Sequence, residues 1–185
     1  MVNFSKCTVP PLHLQFYDYD DENGRYPRMS RKEQLHRWDT LHGMVWVPCD
    51  SARNVPPSAV ECDSASGKRK KLYLGRAEHA GSITPGFIDP VKKICTIPWG
   101  GKAHEKKMYD FLCTPGKFVP CDDTNTLLRA TPAGVSEQGE PLYLGRVEVN
   151  GRLICGKVQR SHAVCYVPHN SKEKAWQSFE IFLKS

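Results

Sequence analysis

Eight cysteines and seven histidines are the side chains of this 185-residue chain best suited to metal binding or nucleophilic catalysis. Their spacing favours neither. No Cys-x-x-Cys or His-x-x-x-His pair occurs, and His104-Glu105 lacks the second histidine of a His-Glu-x-x-His zinc helix. A Cys–His nucleophile pair, such as Cys155 with His162, arises by number alone in any cysteine-rich chain. A thiol enzyme would also need one cysteine of unusually low pKa beside a histidine. The Gly-x-Ser-x-Gly elbow, a complete Gly-x-x-x-x-Gly-Lys-Ser/Thr phosphate loop and the Gly-x-Gly-x-x-Gly fingerprint are missing. The expectation is therefore no catalytic centre, no metal and no cofactor.

Without an apolar leader at the N-terminus, the thiols are expected to be reduced and mostly buried, acting as small apolar residues of a cytoplasmic protein. Release by a non-classical route is compatible with this. No apolar run approaches the roughly 18 residues of a membrane helix, so membrane insertion is not expected. The formal charge of +6 arises beyond residue 45, because residues 1–45 carry equal numbers of acidic and basic side chains. Its densest run, Lys68-Arg69-Lys70-Lys71, stands just ahead of a strand pattern and reads as a solvated loop, not as a nucleic-acid site.

Positioning falls to a repeat. Leu72-Tyr73-Leu74-Gly75-Arg76-Ala77-Glu78 recurs 70 residues later as Leu142-Tyr143-Leu144-Gly145-Arg146-Val147-Glu148. The same offset carries Gly81 to Gly151, Gly86 to Gly156, Cys95 to Cys165, Pro98 to Pro168, Lys102 to Lys172 and Tyr109 to Phe179. Val47-Pro48-Cys49-Asp50 recurs as Val119-Pro120-Cys121-Asp122, offset by 72. The organisation read from this is an N-terminal extension (1–45), a first repeat (46–113) and a second (114–185).

Each repeat reads as strands. A hairpin turns at Gly81 and at Asn150-Gly151, short β-prone runs (94–97 and 164–167) end at proline, and a closing strand (109–112 and 179–182) puts Phe179, Ile181 and Leu183 on one face. The fold expected is all-β: two tandem β-rich repeats packed around a pseudo-twofold axis, their sheets burying one another, with Cys49/Cys121 and Cys95/Cys165 at matching core positions. The extension should add a strand through Leu12, Leu14 and Phe16, a turn at Asn23-Gly24, and a short helix capped by Ser30 and Glu33. That helix should dock through Leu35, Trp38 and Leu41 before Gly43 stops it. Asp18, Asp20, Asp21 and Glu22 imitate the start of a calcium loop, but Asn23 and Met29 occupy its glycine and glutamate positions, so a polar hairpin tip is expected.

Taken together, Trp46, Pro57, Ala59-Val60, the doubled Leu-Tyr-Leu-Gly-Arg, Thr84-Pro85-Gly86, Gly100-Gly101-Lys102 and Tyr109-Asp110-Phe111-Leu112 resemble the DM-nine (DM9) repeat family, best known from invertebrate mannose-binding lectins. The resemblance covers about residues 44–184. It implies a non-catalytic lectin that recognises mannose-type glycans in pattern recognition or host–pathogen contact, with homodimerisation adding avidity. It also implies an acidic residue in the loop before Leu-Tyr-Leu-Gly-Arg and a lysine in a Pro-Gly-Lys-like turn. Copy one offers Asp63 but has Phe87 at the lysine position, where it reads as a core plug. Copy two keeps Lys157 and offers Glu137 as the acid. Lys157, Glu137 and Asp63 are thus the candidate carbohydrate-binding residues, with the second copy expected to dominate. The alternative is an intracellular interaction or scaffold protein in which the sugar site has decayed.

Overall fold

The computed structural model describes residues 29–50, 52, 54–63 and 70–185. The strand expected at 12–16, the Asn23-Gly24 turn, the acidic cluster at 18–22 and Lys68-Arg69 lie outside them. Helix α1 (Arg31–Leu41) precedes the first repeat, which is built from β1 (Trp46–Pro48), β2 (Tyr73–His79), β3 (Ser82–Asp89), β4 (Ile94–Trp99), β5 (Lys102–Lys106) and β6 (Asp110–Leu112). The second repeat opens with β7 (Gly116–Pro120), a short α2 (Thr124–Leu128) and a two-residue β8 (Gly134–Val135). It continues with β9 (Pro141–Val149), β10 (Arg152–Gln159), β11 (Val164–His169), β12 (Lys172–Trp176) and β13 (Glu180–Lys184). Among the described residues no helix is long and apolar enough to cross a membrane.

The hairpins form because their turns can take positive φ. Ala80-Gly81 (47° and 77°) and Asn150-Gly151 (52° and 71°) adopt the two-residue geometry that follows the twist of paired strands. Close approach is the second requirement. A Cβ on Gly86 would lie 2.2 Å from the Thr96 carbonyl oxygen, and one on Gly156 2.0 Å from that of Tyr166. Only glycine lets β3 lie this tightly on β4, and β10 on β11.

The strand order is β1-β6-β2-β3-β4-β5-β12-β11-β10-β9-β13-β7, so the second half mirrors the first about a pseudo-twofold axis between β5 and β12, where Lys102 pairs with Lys172. The repeats are not two sheets facing one another, as expected, but one continuous sheet. At the seam the Ala103 amide donates to the Ser171 carbonyl and the Glu173 amide to the Gly101 carbonyl, both at 3.1 Å. These bonds also explain why β4 and β11 run on through Pro98 and Pro168 instead of ending there. The prolines stand opposite Ala103 and Glu173, whose N–H groups point to the seam and need no partner on the proline strand. Finally β8 pairs with both β3 and β9, closing β3-β4-β5-β12-β11-β10-β9-β8 into a barrel.

The counterpart of β8 in the first repeat is the strap at 60–63. The Cys62 amide donates to Leu72 as the Ala133 amide does to Leu142, both at 2.8 Å. This strap is fastened to β10 by a disulfide, Cys62–Cys155, across a Cα–Cα distance of 6.1 Å. The expectation of reduced thiols is corrected here for these two cysteines. The two bonded cysteines occupy non-equivalent places in the repeats, so comparison of equivalent cysteines could not pair them. Cys49, Cys95, Cys113, Cys121 and Cys165 remain thiols, all buried except the half-buried Cys49. Phe179, Ile181 and Leu183 share one core cluster with Cys165, as their alternation requires.

The repeated arginine is a clamp. Arg76 stacks 4.1 Å from the Trp46 ring, donates to Asp110 (3.2 Å) and reaches the Ala133 carbonyl (3.3 Å). Arg146 repeats this with Phe118 (4.2 Å), Glu180 (2.5 Å) and the Cys62 carbonyl (2.9 Å). Each arginine thereby ties its own repeat to the strap of the other.

Helix α1 has the expected Ser30/Glu33 capping box but docks on a different stripe. Leu35 packs with Ile83 and Val135, and Asp39, one turn on, is buried against Arg76 at 2.8 Å. Leu41 is 78% exposed and Trp38 only half-buried, because the helix is held by polar contacts more than by an apolar face. Arg31 donates to the Gly81 carbonyl (2.7 Å) and Lys184 to that of His42 (2.6 Å). Burial pushes the Asp39 carboxyl above its usual range, although Arg76 pulls the other way.

Candidate functional site at the repeat junction

Lys157 lies in the middle of β10, paired with Leu144 and Tyr166. Gly151 to Lys157 has the spacing of a phosphate loop, but Val158 follows it and the run is a hairpin strand. The Lys157 side chain is buried. Its ammonium stands 2.9 Å from Glu173 Oε1 and 5.3 Å from the centre of the Tyr166 ring. The other Glu173 oxygen accepts from the Gly101 amide at 2.7 Å, so the carboxylate is held by the turn of the opposite repeat. Glu173 Oε1 is buried and accepts no hydrogen bond, the ion pair with Lys157 lying outside hydrogen-bonding geometry.

Glu137 follows β8 and reaches the same junction. Its Oε2 accepts from the Trp99 indole at 3.2 Å and its Oε1 from Gln138 at 3.2 Å. Burial alone would push this carboxyl up. Its own backbone amide, Trp99, Gln138 and the charge of Lys157 together hold it below the usual carboxylate range. The His79 ring packs edge-on against Trp99 (4.9 Å) and beside His104 (4.0 Å), with Lys106 Nζ 3.1 Å from His79 Nδ1. Burial, followed by the charges of His104 and Lys106, keeps the His79 pKa below its ordinary value.

The structure thus brings Glu137 within electrostatic reach of Lys157. Asp63 stands half-buried on the strap directly after Cys62, and the strap pairing aligns it with Gly134, so Asp63 and Glu137 are not equivalents. Glu173, Trp99 and Tyr166 were not foreseen. Their signal was a difference between copies: at the 70-residue offset the first repeat has Ala103 for Glu173 and Thr96 for Tyr166, and the second has His169 for Trp99. At the matching place in the first repeat, around Phe87, lies a cleft of about 700 Å³. Phe87 is half-buried, packing on the core with one side and lining this cleft with the other.

The thiols offer little chemistry. Burial pushes Cys95 and Cys165 far above the thiol range and Cys121 up to about 11, opposite to what a nucleophile needs. Cys155 is consumed in the disulfide, and His162 is bonded to the Tyr166 hydroxyl (2.8 Å), which dissolves that hypothetical pair. Among the described residues no three His, Cys, Asp or Glu side chains gather as a metal site.

Mirrored strand order, a doubled arginine clamp and a polar junction define a tandem-repeat all-β barrel protein. Residues 66–176 match the DM9 repeat, and the chain belongs to the DM9 repeat family. In fold it is similar to the crystal structure of the nematode sperm cell motility protein MFP2B, with a TM-score of 0.60 at 15% sequence identity. That similarity covers 77% of this chain but 47% of the other, so this chain spans about half the length of that neighbour. No curated protein matches the chain by sequence.

Proposed function

We propose that the chain is a non-catalytic lectin that binds mannose or mannose-bearing glycans at the second-repeat junction. The observation that carries this reading is the convergence of Lys157, Glu173 and Glu137 beside Trp99. Vicinal sugar hydroxyls need a charged donor and a charged acceptor side by side, and such bonds exceed neutral ones in strength. The Lys157–Glu173 pair is buried, with half-buried Glu137 and Trp99 beside it. A homodimer carrying two such sites would raise avidity for glycans. The Cys62–Cys155 disulfide suits an oxidising setting, which favours action outside the cytoplasm.

A glycan array probed with the full chain, with free mannose as competitor, tests the reading. Mannose-bearing glycans should be retained and displaced by mannose. Retention of no glycan would overturn it in favour of an interaction module. That second reading is supported by Phe87 at the family's lysine position and by the fold shared with a protein of sperm cell motility.

A further inference from the structure

In the second repeat, Lys157, Tyr166 and Glu173 fill the space above β10, β11 and β12. At the same register the first repeat has Phe87, Thr96 and Ala103. Losing a phenol ring and a carboxyethyl arm leaves the cleft of about 700 Å³, within the size range of small-molecule sites. Its chemistry differs from that of the Lys157 site. Phe87, Ile154 and Pro168 give it an apolar floor, and Lys70, Lys92 and Arg152 stand exposed around its rim.

Two carboxylates face these cations. Asp89 is already engaged: it pairs with Lys70, and its Oδ1 accepts the Val91 and Lys92 amides at 3.0 Å each. Burial raises its carboxyl, but these partners outweigh burial and hold it below the usual range. Glu105 is exposed at the rim. The cleft therefore presents more positive than negative charge over an aromatic base. Both oxygens of Asp89, the carboxylate of the cleft's own ammonium–carboxylate pair, are taken by Lys70 and by the Val91 and Lys92 amides, which leaves a neutral hexose no free acceptor on it. An anionic ring does find complementary groups. The face of Phe87 can stack on the apolar side of a pyranose, and the planar Arg152 guanidinium can take a carboxylate through two parallel bonds.

We infer that the cleft over Phe87, lined by both repeats, is a second site, chemically distinct from that around Lys157, for a pyranose ring bearing a carboxylate, such as a hexuronate. The inference rests on the carbohydrate reading in one respect, that the ligand is a sugar. Calorimetric titration of the full chain with glucuronate, glucose and acetate tests it. Glucuronate should bind at least about tenfold more tightly than glucose or acetate. Arg152→Glu, on an exposed residue, should lower glucuronate affinity by about tenfold or more and leave mannose binding unchanged. Phe87→Leu, which keeps apolar volume but removes the ring face, should lower it several-fold with an unchanged thermal midpoint. Glucose or acetate binding as tightly as glucuronate would overturn the inference, and so would unchanged affinity in Arg152→Glu. Tighter binding of glucose 6-phosphate than of glucuronate would overturn the carboxylate assignment. Failure of mannose alone to bind would count against the junction site and not against this one.

Discussion

The two repeats share strands, register and arginine clamps, yet differ in what stands above the middle of the sheet. The second repeat fills that place with an ammonium, a carboxylate and a phenol, and the first leaves a cleft over phenylalanine. The groups present in both copies (Gly86/Gly156, Arg76/Arg146, Pro98/Pro168) hold the barrel together. The groups that differ carry the proposed chemistry. Repetition here marks structure, and its breakdown marks the proposed sites.

The clamps should separate the repeats most strongly. Arg76 serves Asp39 as well as Asp110, and Arg76→Ala would leave Asp39 buried without its cation. Removing one partner of such a pair costs about 3–5 kcal/mol. Arg146→Ala strands the more exposed Glu180 and the Cys62 carbonyl but no second carboxylate, and should cost less, about 1–3 kcal/mol. Urea unfolding of both variants measures this, and equal losses would mean that α1 adds nothing to the first clamp.

The straps come next. The first is covalent and closes a 93-residue separation, whereas β8 is held by backbone pairing. Reduction, or Cys62→Ser with Cys155→Ser, should lower stability by about 2–4 kcal/mol, read as a fall in thermal midpoint. A midpoint indifferent to reductant would remove the disulfide from the account.

The smallest effect is one of pH. The folded-state pKa of His79 lies below its ordinary 6.5, so on acidification through that value the unfolded chain takes up the proton more readily than the native one. Stability should therefore be fully present above about pH 6.5 and should decline as pH falls towards the lower folded value. His79→Gln should flatten this dependence in thermal melts taken between pH 5 and 7.5. Its second-repeat counterpart, Val149, carries no such titration.

Much of the fold was legible in the sequence because turns and offsets are local. The 70-residue repeat implied two all-β units related by a pseudo-twofold axis, Asn150-Gly151 the hairpin, and Ser30 with Glu33 the helix cap. Closure of the barrel was not legible. A two-residue strand such as Gly134-Val135 has no periodicity, and the seam bonds that let strands pass through Pro98 and Pro168 join distant segments. Nor does a hydrophobic stripe reveal that α1 buries Asp39, whose partner lies 37 residues away. At the site, the motif led to Lys157 and Glu137. Glu173, Tyr166 and Trp99 escaped because a search for identities between copies passes over the positions where they diverge.

The central claim, a sugar site in the second repeat, is tested most directly by titrating mannose into the full chain beside Lys157→Met and Glu137→Gln, with circular dichroism confirming their folds. Losing one charged partner costs about 1–3 kcal/mol, so each variant should bind mannose roughly tenfold or more weakly than the parent chain. Asp63→Ala should bind as the parent does. Undiminished binding by Lys157→Met, or loss of binding in Asp63→Ala alone, would contradict the assignment of the site to the second repeat.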